Sequence, residues 1–288
     1  MTIPTSADWL ASSEKRILLF GMSGLGKTHI SNMLRGSGGW FHYSVDYRIG
    51  TRYMGEHIVD NFKKEAMRNP FLANLLRTDS IYIASNITFH NLSPLSTYLG
   101  KPGDPARGGL SFDEYMRRQE QHRQAEISAL YDTAHFVQRA HDLYQYTNFI
   151  CDSGGSICEV VNPFDPNDPL MNALSETTLM IWLEDTAAHR DALIARFDKD
   201  PKPMYYEPEF LRGLWEEYLA DHGGQECNVD PDAFIRWTYA KALAHRRPRY
   251  RAMAQNWGIS VRAAELEQVK SATDFTQLIA NRLEDHHR

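Results

Sequence analysis

Two rhythms of apolar and polar positions alternate along this chain of 288 residues. Short runs of apolar residues occur at 17–20, 40–46, 149–151, 177–183 and 256–261. Their length and near-continuous apolarity predict strands buried on both faces rather than half-exposed ones. Between them, apolar residues recur at helical spacing over 29–35, 56–67, 186–197, 210–219, 232–245 and 272–283. The stretch 111–144 has the same spacing, opens on the capping pattern Ser111-x-x-Glu114, and reads as one long helix or two. Residues 81–83 read as a short strand or a helix end, and the glycines and prolines of 99–109 predict a loop. Strands alternating with helices predict an α/β fold, a parallel three-layer sandwich with right-handed crossovers. The chain reads as one domain, 1–288, with a helical insertion at 55–145 and a lid and helical insertion at 198–245.

Composition narrows the partners. The formal charge of −6, the isoelectric point near 6.1 and the 42% of hydrophobic residues describe no global basic field. Nucleic acid and anionic membranes are therefore not expected as partners. The opening residues MTIPTSADWLASSEKR lack the apolar core of a signal peptide, and no window approaches the ~20 apolar residues of a spanning helix. The expected compartment is the cytoplasm. Cys151, Cys158 and Cys227 are odd in number without C-x-x-C spacing, which argues against disulfides and structural zinc. Twelve histidines form no H-x-x-x-H pair.

The stretch with the most chemistry is Gly21-Met-Ser-Gly-Leu-Gly26-Lys27-Thr28, which fits G-x-x-x-x-G-K-[ST] between a predicted strand and a predicted helix. Gly21, Gly24 and Gly26 permit backbone dihedrals and a close approach that a β-carbon would block. The amides of the loop, with Ser23 and Leu25 among its residues and His29 at the helix start, can then turn around a phosphate. Lys27 is placed to reach the β- and γ-phosphates, and Thr28 to offer its hydroxyl to Mg²⁺. ATP and Mg²⁺ are the expected cofactors.

Three other stretches are less specific. In Asn148-Phe-Ile-Cys-Asp152-Ser-Gly-Gly155, Asp152 ends a predicted strand and can face the water shell of Mg²⁺, although apolar strands ending in aspartate are common in α/β proteins. Gly154 and Gly155 permit close approach of a ligand, or simply a tight turn. Asp46 ends another predicted strand, where it can accept the proton of an attacking hydroxyl or cap the next helix. Arg117, Arg118, Glu120 and Arg123 read equally as a solvated helix face with (i, i+3) pairs. Arg246-Arg-Pro-Arg-Tyr250-Arg is the dense basic cluster of the chain.

In their order, these motifs resemble shikimate kinase and related small-molecule kinases of the nucleoside-monophosphate-kinase type. The resemblance is carried by Gly21 to Thr28, Asp46 followed by Gly50, Arg117-x-x-Glu120, Ser153-Gly154-Gly155 and Trp182-Leu183. Arg196 followed by Lys202-Pro203-Met204, and Arg246-x-Pro248-x-Tyr250-x-x-x-Ala254, complete it. It implies a five-stranded parallel sheet of order 2-3-1-4-5. It also implies roles: Asp46 orients or deprotonates the acceptor hydroxyl, Arg117 binds an anionic group of the acceptor, and Gly154 and Gly155 lie against it. Lys202 takes a lid position near the transferring phosphoryl group, and Arg196 and Arg246 bind the nucleotide. Ser44 stands where the family commonly has a second acid, which shifts the metal role to Asp152 beside Thr28. About 55 residues are inserted between the Asp46 region and the Arg117 helix.

The leading expectation is ATP-dependent phosphoryl transfer to a hydroxyl of a small polar, anionic metabolite. A second reading is a nucleotide-binding switch or ATPase acting on a protein partner. The third is a nucleotide or polynucleotide kinase using Arg246, Arg247, Arg249 and Arg251 as phosphate contacts.

Overall fold

The structure, a computed structural model, describes residues 3–222 and 224–288. Five strands, β1 (Arg16–Phe20), β2 (Trp40–Ser44), β3 (Asn148–Asp152), β4 (Leu179–Glu184) and β5 (Gly258–Arg262), form one sheet of order β2-β3-β1-β4-β5. Every pairing is parallel. The fold is thus the α/β arrangement expected, and burial follows strand position. Ile17, Leu18, Leu19 and Phe20 of central β1 are fully buried, as are Met180, Ile181 and Leu183 of β4, because both faces are covered. Edge strand β5 instead exposes Ser260 and Arg262 in alternation with buried neighbours.

The chain divides into two compact units. The first comprises residues up to 45, 127–201 and 236–288, and contains the sheet. Its helix Lys27–Gly36 packs on β2 and β3, and the closing helix Ala272–His287 packs on β5 and on the short helix Ser6–Ala11. Trp9 fastens that last pair by donating its indole N–H to the carbonyl of Thr276 at 2.9 Å. Beside β2, Tyr43 stacks on Phe136 at 4.6 Å and donates its hydroxyl to the carbonyl of Ala129 at 2.6 Å, so that the ring is buried and its polar end is satisfied.

The second unit comprises residues 46–126 and 202–235 and is built from helices. Within it, Phe112 stacks on Trp215 at 4.7 Å, and Trp215 meets Phe234 edge to face at 5.0 Å. Lys101 pairs with Asp232 at 2.5 Å and Arg107 with Asp230 at 2.7 Å. Residues 81–83 adopt neither strand nor helix.

Two long helices, Phe112–Tyr144 and Pro231–Trp257, contain residues of both units. The first settles the choice left open at 111–144: it is one helix of 33 residues. The second corrects the expected stop at His245, because it continues through Pro248 to Trp257. A proline inside a helix cannot donate to the carbonyl four residues earlier, at a cost of about 3 kcal/mol. The residues beyond Pro248 offset that cost by binding elsewhere in the unit, as described below.

Candidate functional site

The loop after β1 adopts the conformation that its glycines permit. Gly21, Gly24 and Gly26 have φ of 137°, 87° and 93°. At Gly21 a β-carbon would also lie 2.8 Å from the carbonyl oxygen of Leu183 in β4. Gly26 is the N-cap of the helix Lys27–Gly36, so the loop runs directly into a helix whose first amides lack intrahelical acceptors. Ser23, Gly24, Thr28 and His29 are exposed, whereas Leu25 is buried beneath the loop.

Lys27 is buried, and its ammonium donates to the carbonyls of Gly21 at 2.8 Å and Met22 at 3.1 Å. The lysine thereby braces the loop that it follows. Thr28 donates its hydroxyl to Oδ2 of Asp152 at 2.7 Å. This contact is a consequence of sheet order: β3 lies between β1 and β2, with Asp152 in register with Leu19 on one side and Ser44 on the other. His42 lies two residues before Ser44, hence on the same face of β2, and its Nε2 is 3.8 Å from the same carboxylate oxygen. His42 is a member of this site that the sequence reading missed; only the pairing register exposes it.

Past β3, Ser153 donates both its amide and its hydroxyl to the carbonyl of Leu19, at 3.2 and 2.9 Å, prolonging the β1–β3 ladder by one residue. The buried Gly154 and the half-buried Gly155 follow. A β-carbon on Gly155 would lie 2.5 Å from Ser23 Oγ, so the turn after β3 and the loop after β1 are in contact. Arg196, on the helix Ala187–Lys199, reaches the loop from the other side: a β-carbon on Gly24 would lie 2.5 Å from its Nη2 and 3.0 Å from Leu193 Cδ2. Arg196 is exposed, and its side chain makes no hydrogen bond or ion pair with another described residue. The first unit thus brings together Lys27, Thr28, Asp152, Arg196 and Gly155 around one loop.

Arg246 is placed otherwise. Its guanidinium is buried and donates to Glu159 Oε2 at 2.6 Å. Burial alone would lower its pKa, but the Glu159 carboxylate outweighs this and holds the group above its ordinary value. The sequence reading expects Arg246 at the nucleotide; in the structure its guanidinium lies in the interior, matched by Glu159. Arg249 donates to the carbonyls of Cys158 at 2.7 Å and Val161 at 3.1 Å. Arg247 lies 3.6 Å from Asp185 and 3.9 Å from Glu184. Of the basic cluster, Arg246 is thus buried, Arg247 and Arg249 are half-buried, and Arg251 is exposed. Burial, the leading cause, also pushes the Cys158 thiol up to about 12.

In the second unit, Asp46 lies two residues beyond β2, in the first turn of the short helix Val45–Arg48. Arg117 is half-exposed and held in a fork, with Nε and Nη2 each donating to Glu114 at 2.7 Å. Glu114 also accepts from the buried Arg118 at 2.7 Å. The hydrogen bonds from Arg117, opposed by partial burial and aided by Arg118, hold the Glu114 carboxyl at about 2. Lys202 is exposed at the head of a segment that Gln119 fixes. The buried Gln119 amide donates to the carbonyl of Met204 at 3.1 Å and accepts from the amide of Tyr206 at 3.0 Å, as a neighbouring strand would. Tyr205 between them stacks on His122 at 5.3 Å. Gln119 carries no motif, and the sequence reading passed over it.

No protein-family model matches the chain, and no curated protein matches it in sequence. Among solved structures the chain is similar to shikimate kinase from Bacteroides thetaiotaomicron, at 16% identity and a TM-score of 0.39, with 96% of this chain and 99% of that chain covered. The chemistry of the site therefore rests on its own residues. No helix among the described residues is long and apolar enough to cross a membrane.

The donors at Thr28 and Asp152 are a hydroxyl and a carboxylate, hard oxygen ligands of the kind that suits Mg²⁺ when water and phosphate oxygens complete its shell. Among the described residues no group of three His, Cys, Asp or Glu side chains is placed to hold a metal without such help. The residues present fit a metal that arrives with a nucleotide.

Proposed function

We propose that this chain is a Mg²⁺- and ATP-dependent kinase that transfers a phosphoryl group to a hydroxyl of a small, polar, anionic metabolite. The observation that carries the reading is the hydrogen bond from Thr28 to Asp152, at the foot of a loop with three positive-φ glycines and beside Lys27. Bound Mg²⁺ would neutralise charge on the β- and γ-phosphates. The chain's own share is to hold it through Thr28 and Asp152, to set the loop amides of Ser23 to Thr28 around the phosphates, and to add the charges of Lys27 and Arg196. Phosphoryl transfer needs little covalent help, so positioning and neutralisation suffice. Lys27 must leave the carbonyls of Gly21 and Met22, or share its three protons with them, to serve a phosphate.

On the acceptor side the reading assigns Asp46 to the hydroxyl that attacks, Arg117 to an anionic group, Gly154 and Gly155 to close contact, and Lys202 to the lid. The fork from Glu114 supports a fixed orientation for Arg117 while leaving it half-exposed. Release of ADP should be followed against a panel of hydroxy acids and neutral sugars. Acceleration by a hydroxy acid, with a phosphate ester formed in equal amount, is the expected result. ATP hydrolysis that no member of the panel changes would favour a switch acting on a protein partner.

A further inference from the structure

The ring of Tyr250 is fully buried in the first unit and touches both ends of the phosphate loop's support. It lies 6.2 Å, centroid to centroid, from the ring of Phe20, the residue that leads into the loop. Its hydroxyl donates to the carbonyl of Gly155. Gly155 is pressed on the middle of the loop: a β-carbon there would lie 2.5 Å from Ser23 Oγ and 3.2 Å from Ser23 N. The same helix fastens the segment that follows Gly155 through Arg246 on Glu159, Arg249 on the carbonyls of Cys158 and Val161, and Asn256 on the carbonyl of Pro163 at 3.0 Å. Ser23 and Gly24 are exposed, so without a brace the glycine-rich loop would have to be ordered anew each time an anion binds.

We propose that Tyr250 is a positioning residue for the phosphate loop, holding Gly155 against Ser23 so that the loop amides are preordered for a phosphate. Its functional consequence rests on the nucleotide reading given above, while its structural part does not. Tyr250→Phe removes the hydroxyl alone and keeps the packing on Phe20. Asn256→Ala removes a bond from the same helix to the same segment, farther along the chain from Gly155, and serves as the control.

Hydrogen–deuterium exchange on the full-length, nucleotide-free protein should be faster in peptides covering 20–28 for Tyr250→Phe and unchanged there for Asn256→Ala. Fluorescence titration with a mant-labelled ADP and Mg²⁺ should show binding about tenfold weaker for Tyr250→Phe, the scale of one hydrogen bond. Unchanged exchange over 20–28, or equal acceleration in both variants, overturns the proposal. A wild-type chain that binds no nucleotide overturns the kinase reading instead, and the exchange experiment still decides the role of Tyr250. Should Tyr250→Phe fail to fold, Gly155→Ala tests the same contact from its other side: it should weaken mant-ADP binding, and a second substitution, Ser23→Gly, should restore it. No recovery would sink the idea.

Discussion

The Thr28 hydroxyl donates to the Asp152 carboxylate at 2.7 Å across 124 positions of sequence, joining the start of the phosphate-loop helix to the end of β3. The metal assignment depends on this bond. Asp152→Asn keeps the shape and removes the charge, so it should weaken binding of Mg²⁺-ADP much more than binding of free ADP. Calorimetric titrations with and without Mg²⁺ measure the two losses, and equal losses would make Asp152 a structural residue.

Lys27→Ala should lower phosphoryl transfer by about 10²-fold or more, the scale for a lost transition-state donor. Because Lys27 is buried on the carbonyls of Gly21 and Met22, the variant should also melt a few degrees lower. A coupled ADP assay and a thermal melt on the same preparation test both parts. Undiminished turnover would remove Lys27 from the transfer step.

The Arg246–Glu159 pair predicts a non-additive stability change. Glu159→Gln leaves a buried guanidinium without its matching charge and should cost about 3–5 kcal/mol in a denaturant titration. Replacing both partners by apolar residues, Arg246→Met with Glu159→Leu, should cost less than the single change. A double variant that loses the sum of its two single variants would show the pair to be uncoupled.

Acid should remove a stabilisation located at Glu114. Its folded pKa of about 2 lies below the ordinary 4.5, chiefly because Arg117 donates to it. A depressed carboxyl contributes fully above its unfolded pKa and loses that contribution as pH falls through the folded value. The melting-temperature advantage of the wild type over Glu114→Gln should thus be full at pH 7, shrink below about pH 4.5 and vanish near pH 2. An advantage that stays constant over this range would assign the difference to packing.

Asp46 and Arg117 should separate in kinetics once the panel has identified an acceptor. Asp46→Asn should lower kcat sharply with nucleotide affinity unchanged, whereas Arg117→Ala should mainly raise the acceptor's KM. A large loss of nucleotide affinity in either variant would move that residue to the other side of the transferring phosphate.

By itself, the sequence determined the features whose physics is local. Short continuous apolar runs suit strands in the middle of a covered sheet, and their alternation with helical spacing made the sheet parallel. Three glycines before a lysine and a threonine specify a backbone path that few other residues tolerate, and the loop follows it. Tertiary structure decided which charges meet. Arg246 and Glu159 are 87 positions apart, and nothing near either one announces the partner that holds Arg246 in the interior. His42 acquires its place beside Asp152 only from the register of β2 on β3. Pro248 predicts a helix end from its missing N–H, yet the helix runs on, because Arg249, Tyr250 and Asn256 beyond it all bind the segment after β3. A backbone preference is written in a few adjacent residues, whereas the partner of a side chain depends on where the whole fold carries it.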